Sequence, residues 1–103
     1  MPERGFGIAA GLDADVAREV GRRCEALGFA SLWSNDHPGA SGLETAAVFA
    51  AAAPALDVGV AVLALDRHPP ADVAAKLAEV GVPPARLWLG IGAGFTKGCR
   101  GEP

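Results

Sequence analysis

The chain has 103 residues, enough for one small domain and too few for a multidomain machine. Half of its residues are hydrophobic and 20% are charged, a balance that supplies a packed core and argues against disorder. Nine Lys and Arg against twelve Asp and Glu give a net charge of −3, and no basic run exceeds Arg22-Arg23, so the footprint of nucleic-acid binding is missing.

Phe6 to Ala10, apolar and set between Gly5 and Gly11, predicts a first strand, and Asp13 then stands where a helix N-cap belongs. Val16, Val20, Cys24 and Leu27 recur at helical spacing, with Arg18, Glu19, Arg22, Arg23 and Glu25 on the other faces. Gly28 is the expected left-handed stop, and Phe29 to Trp33 reads as a second strand. Ser41-Gly42-Leu43-Glu44 forms a capping box, which opens a second helix that ends near Pro54. Leu56 to Leu65 is almost wholly apolar, as expected of a strand covered on both faces. Pro70 and Asp72 open a third helix carried by Val73, Leu77 and Val80 and closed by Gly81. Arg86 to Gly92 is the fourth strand. Strict alternation of strand and helix over short connections implies an α/β fold with parallel strands and right-handed crossovers.

Cys24 and Cys99 are far apart in sequence and neither stands in a cluster with metal-ligand spacing, so no metal is expected. Unpaired cysteines suit a reduced, cytoplasmic location. Met1 to Gly7 has no continuous apolar segment, and the run from Ala46 to Leu56 is interrupted by Pro54 and too short to cross a bilayer. Neither a signal peptide nor a membrane partner is expected.

Ligands of parallel α/β proteins gather where the strands end, because helix N-termini and loops converge there. Nearly every unusual polar residue of this chain falls at such an end. His37, beside Asp36, is the strongest acid/base or hydrogen-bonding candidate, since imidazole titrates near neutral pH; the plainer reading is that the pair organises the turn into Pro38. Asp66-Arg67-His68 reads as a rim loop in which Arg67 could meet an anion, against a solvated turn with a local ion pair. The alternate glycines of Gly90-Ile91-Gly92-Ala93-Gly94 expose backbone to a flat ligand. Taken alone they are unspecific, and Lys97 lacks the spacing of a phosphate loop. Trp33 and Trp88 fall within strands, where such rings usually belong to a core.

Together, Glu25-Ala26-Leu27-Gly28-Phe29-Ala30-Ser31-Leu32-Trp33 with Asp36-His37, Val58-Gly59-Val60-Ala61-Val62-Leu63 leading to Arg67-His68-Pro69-Pro70, and Arg86-Leu87-Trp88-Leu89-Gly90-Ile91-Gly92-Ala93-Gly94 resemble the N-terminal part of the luciferase-like, flavin-dependent oxidoreductases. The resemblance runs from Phe6 to Phe95. It implies a (β/α)8 TIM barrel whose N-terminal half, four parallel strands alternating with three helices, is present here. Residues 1–95 would form the partial barrel and 96–103 a flexible tail. A complete barrel takes about 250 residues, and its phosphate site usually comes from the loops after strands seven and eight.

The resemblance also implies FMN or a deazaflavin coenzyme at the carboxyl face and a small organic substrate oxidised or reduced there, in many members by monooxygenation. Carried over by position, His37 would be catalytic, with Asp36 near the ring. Ala64 or Leu65 would offer backbone to the ring, and Gly92 and Gly94 would give it room. The expected protein is therefore an N-terminal fragment of a flavin-dependent oxidoreductase. The alternative is a non-catalytic remnant or a half-barrel that self-associates, a homodimer covering the open sheet edge.

Overall fold

A computed structural model describes residues 3–92; Gly94 and the 96–103 tail lie outside the described residues. Strands β1 (Gly5–Ile8), β2 (Ser31–Ser34), β3 (Asp57–Ala64) and β4 (Leu87–Gly92) alternate with helices α1 (Ala14–Ala26), α2 (Gly42–Ala52) and α3 (Pro70–Val80). Every neighbouring pair is parallel and the sheet order is β1-β2-β3-β4. A sheet that follows chain order has no reversal point, which separates it from doubly wound sheets and matches one half of an eight-stranded barrel.

The helix ends form as their sequences dictate. The Asp13 carboxylate accepts the Asp15 N–H at 2.9 Å, and Ser41 Oγ accepts the Glu44 N–H at 3.2 Å. The Glu44 carboxylate, expected to return to the start of α2, instead reaches Lys76 of α3 at 3.5 Å. Gly28 and Gly81, at φ of 85° and 76°, supply the left-handed stops of α1 and α3. No basic residue lies in the last turn of α2. Its final carbonyls are met from a distance by Arg86, whose guanidinium donates to the carbonyls of Ala50, Ala53 and Leu56.

Helix α2 packs on β2 and β3, with α1 and α3 on its flanks. Phe49, Leu32, Leu43, Val58, Val60 and Leu63 fill the layer between this helix and the sheet. The buried stripe of α1 departs from the expected one in part: Cys24 is buried as expected, but Ala17 and Gly21 are buried beside it, whereas Val16 and Leu27 are 50% and 69% exposed. The cause is the partner. Helix α1 packs mainly on α2, and a Cβ at Gly21 would lie 3.0 Å from that of Ala52, so the contact selects small side chains. Burial pushes the Cys24 thiol up in pKa, which keeps it neutral.

On the face away from the helices, the register sets Gly7, Trp33, Gly59 and Trp88 side by side. The Trp33 indole lies over Gly59, where an added Cβ would come within 2.4 Å of the ring. Its Nε1 donates to Ser31 Oγ at 2.9 Å. Trp88 is no core residue: it is 58% exposed and its Nε1 donates to Asp57 at 3.0 Å. Among the described residues β4 is an edge strand and no layer covers its inner face. Burial of β3 holds for Val58, Gly59 and Val60, is interrupted at the next two residues and resumes at Leu63 and Ala64. Ala61 and Val62 are exposed, where the pairing with β4 shifts register between Val60 and Leu63.

Candidate active site at the strand ends

Three loops build the rim. After β2, Asn35 turns its side chain toward the end of β1, and its Oδ1 accepts the Ala10 N–H at 2.8 Å. Asp36 follows with a side chain only 2% exposed. Its Oδ1 accepts the N–H of Gly42, the first residue of α2, at 2.7 Å. Its Oδ2 accepts Arg67 Nη2 at 3.0 Å and His68 Nε2 at 2.8 Å. One carboxylate thus ties the loop after β2 to the N-terminus of α2 and to the loop after β3.

Burial alone would raise the pKa of Asp36. The Gly42 N–H, the hydrogen bonds from His68 and Arg67 and the charge of His68 outweigh it and hold the carboxyl below its ordinary value. A depressed folded-state pKa adds stability that is complete above about pH 5 and is lost as pH falls past the ordinary carboxylate value near 3.9 toward the folded one. Urea midpoints measured across this range should therefore fall on acidification. In Asp36→Asn the fall should be shallower, and an identical slope in both proteins would show that the clamp contributes nothing.

His37 is exposed and closes the adjacent turn, its backbone exchanging two hydrogen bonds with Ala40. The Gly39 N–H donates to its Nδ1 at 3.2 Å. Asp36, His37, Arg67 and His68 line one cavity of about 300 Å³. A second cavity of about 300 Å³ opens over the sheet, walled by Gly7, Ala9, Trp33, Asn35 and Ala61.

The other expected site residues lie apart from both cavities. The Ala64 carbonyl accepts the N–H groups of Arg67 and His68, and the Leu65 N–H donates to the Gly92 carbonyl at 2.8 Å. The Leu65 side chain faces the helices, in an apolar groove with Leu63, Val73, Leu77, Leu89 and Ile91. Gly92 packs close to Val62: an added Cβ would lie 2.8 Å from its Cγ1. The anion met by Arg67 is the chain's own Asp36, a partner 31 residues away that no local spacing reveals. Gly7, Ala9 and Ala61 were missed as wall residues. Their signal is the period-two recurrence of small residues on the inner face.

A parallel sheet in chain order, a helical layer beside it and polar loops at its carboxyl ends define a partial (β/α) barrel with a rim site. The luciferase-like monooxygenase family profile matches residues 2–98, and the chain belongs to that family. The fold is shared with the coenzyme F420 dependent tetrahydromethanopterin reductase of Methanopyrus kandleri, at a TM-score of 0.75 and 19% identity over 94% of this chain and 28% of that one. It is shared equally with the oxygenating constituent of the 3,6-diketocamphane monooxygenase of Pseudomonas putida, solved with FMN, at a TM-score of 0.71 and 18% identity over 93% of this chain and 30% of that one. The chain thus spans under a third of the length of these two proteins. No curated protein matches it. No helix among the described residues is long and apolar enough to cross a membrane.

Proposed function

We propose that this chain is the N-terminal portion of a flavin- or deazaflavin-dependent oxidoreductase acting on a small organic substrate. The supporting observation is the cavity over the carboxyl ends of β1, β2 and β3. Its floor is Gly7, Ala9 and Ala61, and a Cβ added at Gly7 would meet no atom within 4 Å. Small residues that leave strand backbone open are what a flat ring needs to lie close to a sheet. The residues present therefore fit the ring portion of such a cofactor. Gly7, Ala9 and Ala61 would hold its face, Trp33 would wall one side, and Asn35 would fix the loop beside it.

A bound flavin or deazaflavin supplies the redox chemistry. The protein's share is placement and proton handling. His37 is exposed and lines the neighbouring cavity, and this supports a role in exchanging a proton with substrate. Asp36 acts through its neighbours, because its carboxylate is occupied by three protein donors.

Fluorescence titration with FMN and with a deazaflavin tests the reading, on this portion extended through the remaining strands of a complete barrel, because the phosphate site usually comes from the loops after strands seven and eight. Binding of either is expected, and Gly7→Val should weaken it about tenfold, a loss of about 1.4 kcal/mol, while the fold is kept. Absence of binding by both, or equal affinity in Gly7→Val, would overturn it.

Self-association is favoured by a separate observation. Trp88, Val62 and Ile91 are exposed large apolar side chains, and among the described residues β1 and β4 each pair on one side only. Two four-stranded halves supply the eight strands of a closed barrel, so a homodimer would pair both edges at once. Sedimentation velocity should then report a dimer, lost in Trp88→Asp; a monomer at high concentration would remove the idea.

A further inference from the structure

The polarity of the rim cavity follows from its hydrogen bonds. The Asp36 carboxylate receives the Gly42 N–H, the Arg67 guanidinium and His68 Nε2, and an ionised carboxylate can only accept. His68 must therefore donate through Nε2, which leaves the lone pair of its neutral ring on Nδ1. That nitrogen has no protein hydrogen bond among the described residues. Because among the described residues no buried side-chain nitrogen or oxygen lacks a partner, Nδ1 is open to the surroundings. His37 is set the opposite way. Gly39 donates its N–H to His37 Nδ1, so the neutral ring carries its proton on Nε2 and offers a donor.

We propose that His68 is the hydrogen-bond-accepting residue of the rim, that Asp36 is the positioning residue that fixes this polarity, and that with His37 as donor the cavity takes a neutral ligand edge bearing one acceptor and one donor. Both rings line the same cavity of about 300 Å³, and the His68 side chain is 27% exposed. Anions are disfavoured because Asp36, 3.0 Å from Arg67, already neutralises that cation. The proposal rests on the rim described above and needs no flavin, so loss of the flavin reading would leave it standing.

The test is nitrogen NMR of the 103-residue chain with labelled histidines, at mildly alkaline pH where imidazole is neutral. His68 is expected as the Nε2–H tautomer. In Asp36→Ala the acceptor that faces Nε2 is removed, so the ring is expected to lose its fixed tautomer and to report a larger share of the Nδ1–H form. A ring whose polarity Asp36 does not set would keep its tautomer. An Nδ1–H ring in the wild-type protein, which needs no variant to detect, or an unchanged tautomer in a folded Asp36→Ala, would overturn the proposal. Titration with the small lactam 2-pyrrolidone should shift the ring signals of both histidines more than acetate does. Equal shifts from acetate, or none from the lactam, would refute the ligand class.

Discussion

Phe49→Ala is expected to cost about 3–5 kcal/mol, the range for removing a buried aromatic ring whose surroundings collapse only in part. A domain of this size has a total stability of about 5–15 kcal/mol, so the variant would keep little margin. Phe49 is fully buried in the cluster that also holds Leu32, Leu43, Val58 and Val60. The other packing is slighter: α1 meets α2 through the small residues Ala17, Gly21 and Cys24, and α3 has no fully buried residue. The surrounding alanines, Ala46, Ala50 and Ala53, cannot swing in to fill the space. Urea denaturation should show a large drop in midpoint at nearly constant slope, with Phe49→Leu losing less than about 1.5 kcal/mol. A midpoint unchanged by Phe49→Ala would mean that α2 is not the element that holds the sheet.

Much of this fold is legible locally because each element carries its own start and stop chemistry. Asp13 and Ser41 cap helices through their own side chains, and Gly28 and Gly81 adopt the positive φ that their positions require. What resists reading is whatever depends on a partner far along the chain. Periodicity counts large apolar residues and so selects Val16 and Leu27, whereas the contact with α2 buries Ala17 and Gly21 because only small residues let two helices approach. Trp88 has the composition of a core residue, but exposure is set by which strand lies beside it.

The same division runs through the site. The positions of Asp36 and His37 at a strand end follow from the alternation of elements. The partners of Asp36 do not, since Arg67 and His68 are 31 and 32 residues away. The inner wall of Gly7, Gly59 and Ala61 was present in the sequence as a period of two. Divided between β1 and β3, it becomes one surface only when the register of the sheet aligns them across β2.

Gly42→Ala sets helix propensity against packing, and the distances decide which wins. Alanine is preferred over glycine in a helix interior by about 1 kcal/mol, and by less at the first helical position. At Gly42, however, an added Cβ would lie 2.5 Å from the Asn35 carbonyl oxygen, 2.7 Å from Val60 Cγ1 and 3.1 Å from the Asn35 carbonyl carbon. Two of these are backbone atoms, which cannot rotate away as the end of a side chain could. Relief requires α2 to move from the loop after β2, at a cost of about 1–3 kcal/mol for overpacking. The same movement stretches the 2.7 Å bond from the Gly42 N–H to Asp36, and bonds to charged groups are worth about 1.5–3 kcal/mol. The net expectation is a destabilisation of about 2–3 kcal/mol, opposite in sign to the propensity. Beyond the loss of midpoint, the site itself should change: with one of its three donors withdrawn, Asp36 should lose part of its depressed pKa, so the acid dependence becomes shallower. A stabilised Gly42→Ala with unaltered acid dependence would show that the loop yields, and that the close approach of α2 to Asn35 is not what holds the rim together.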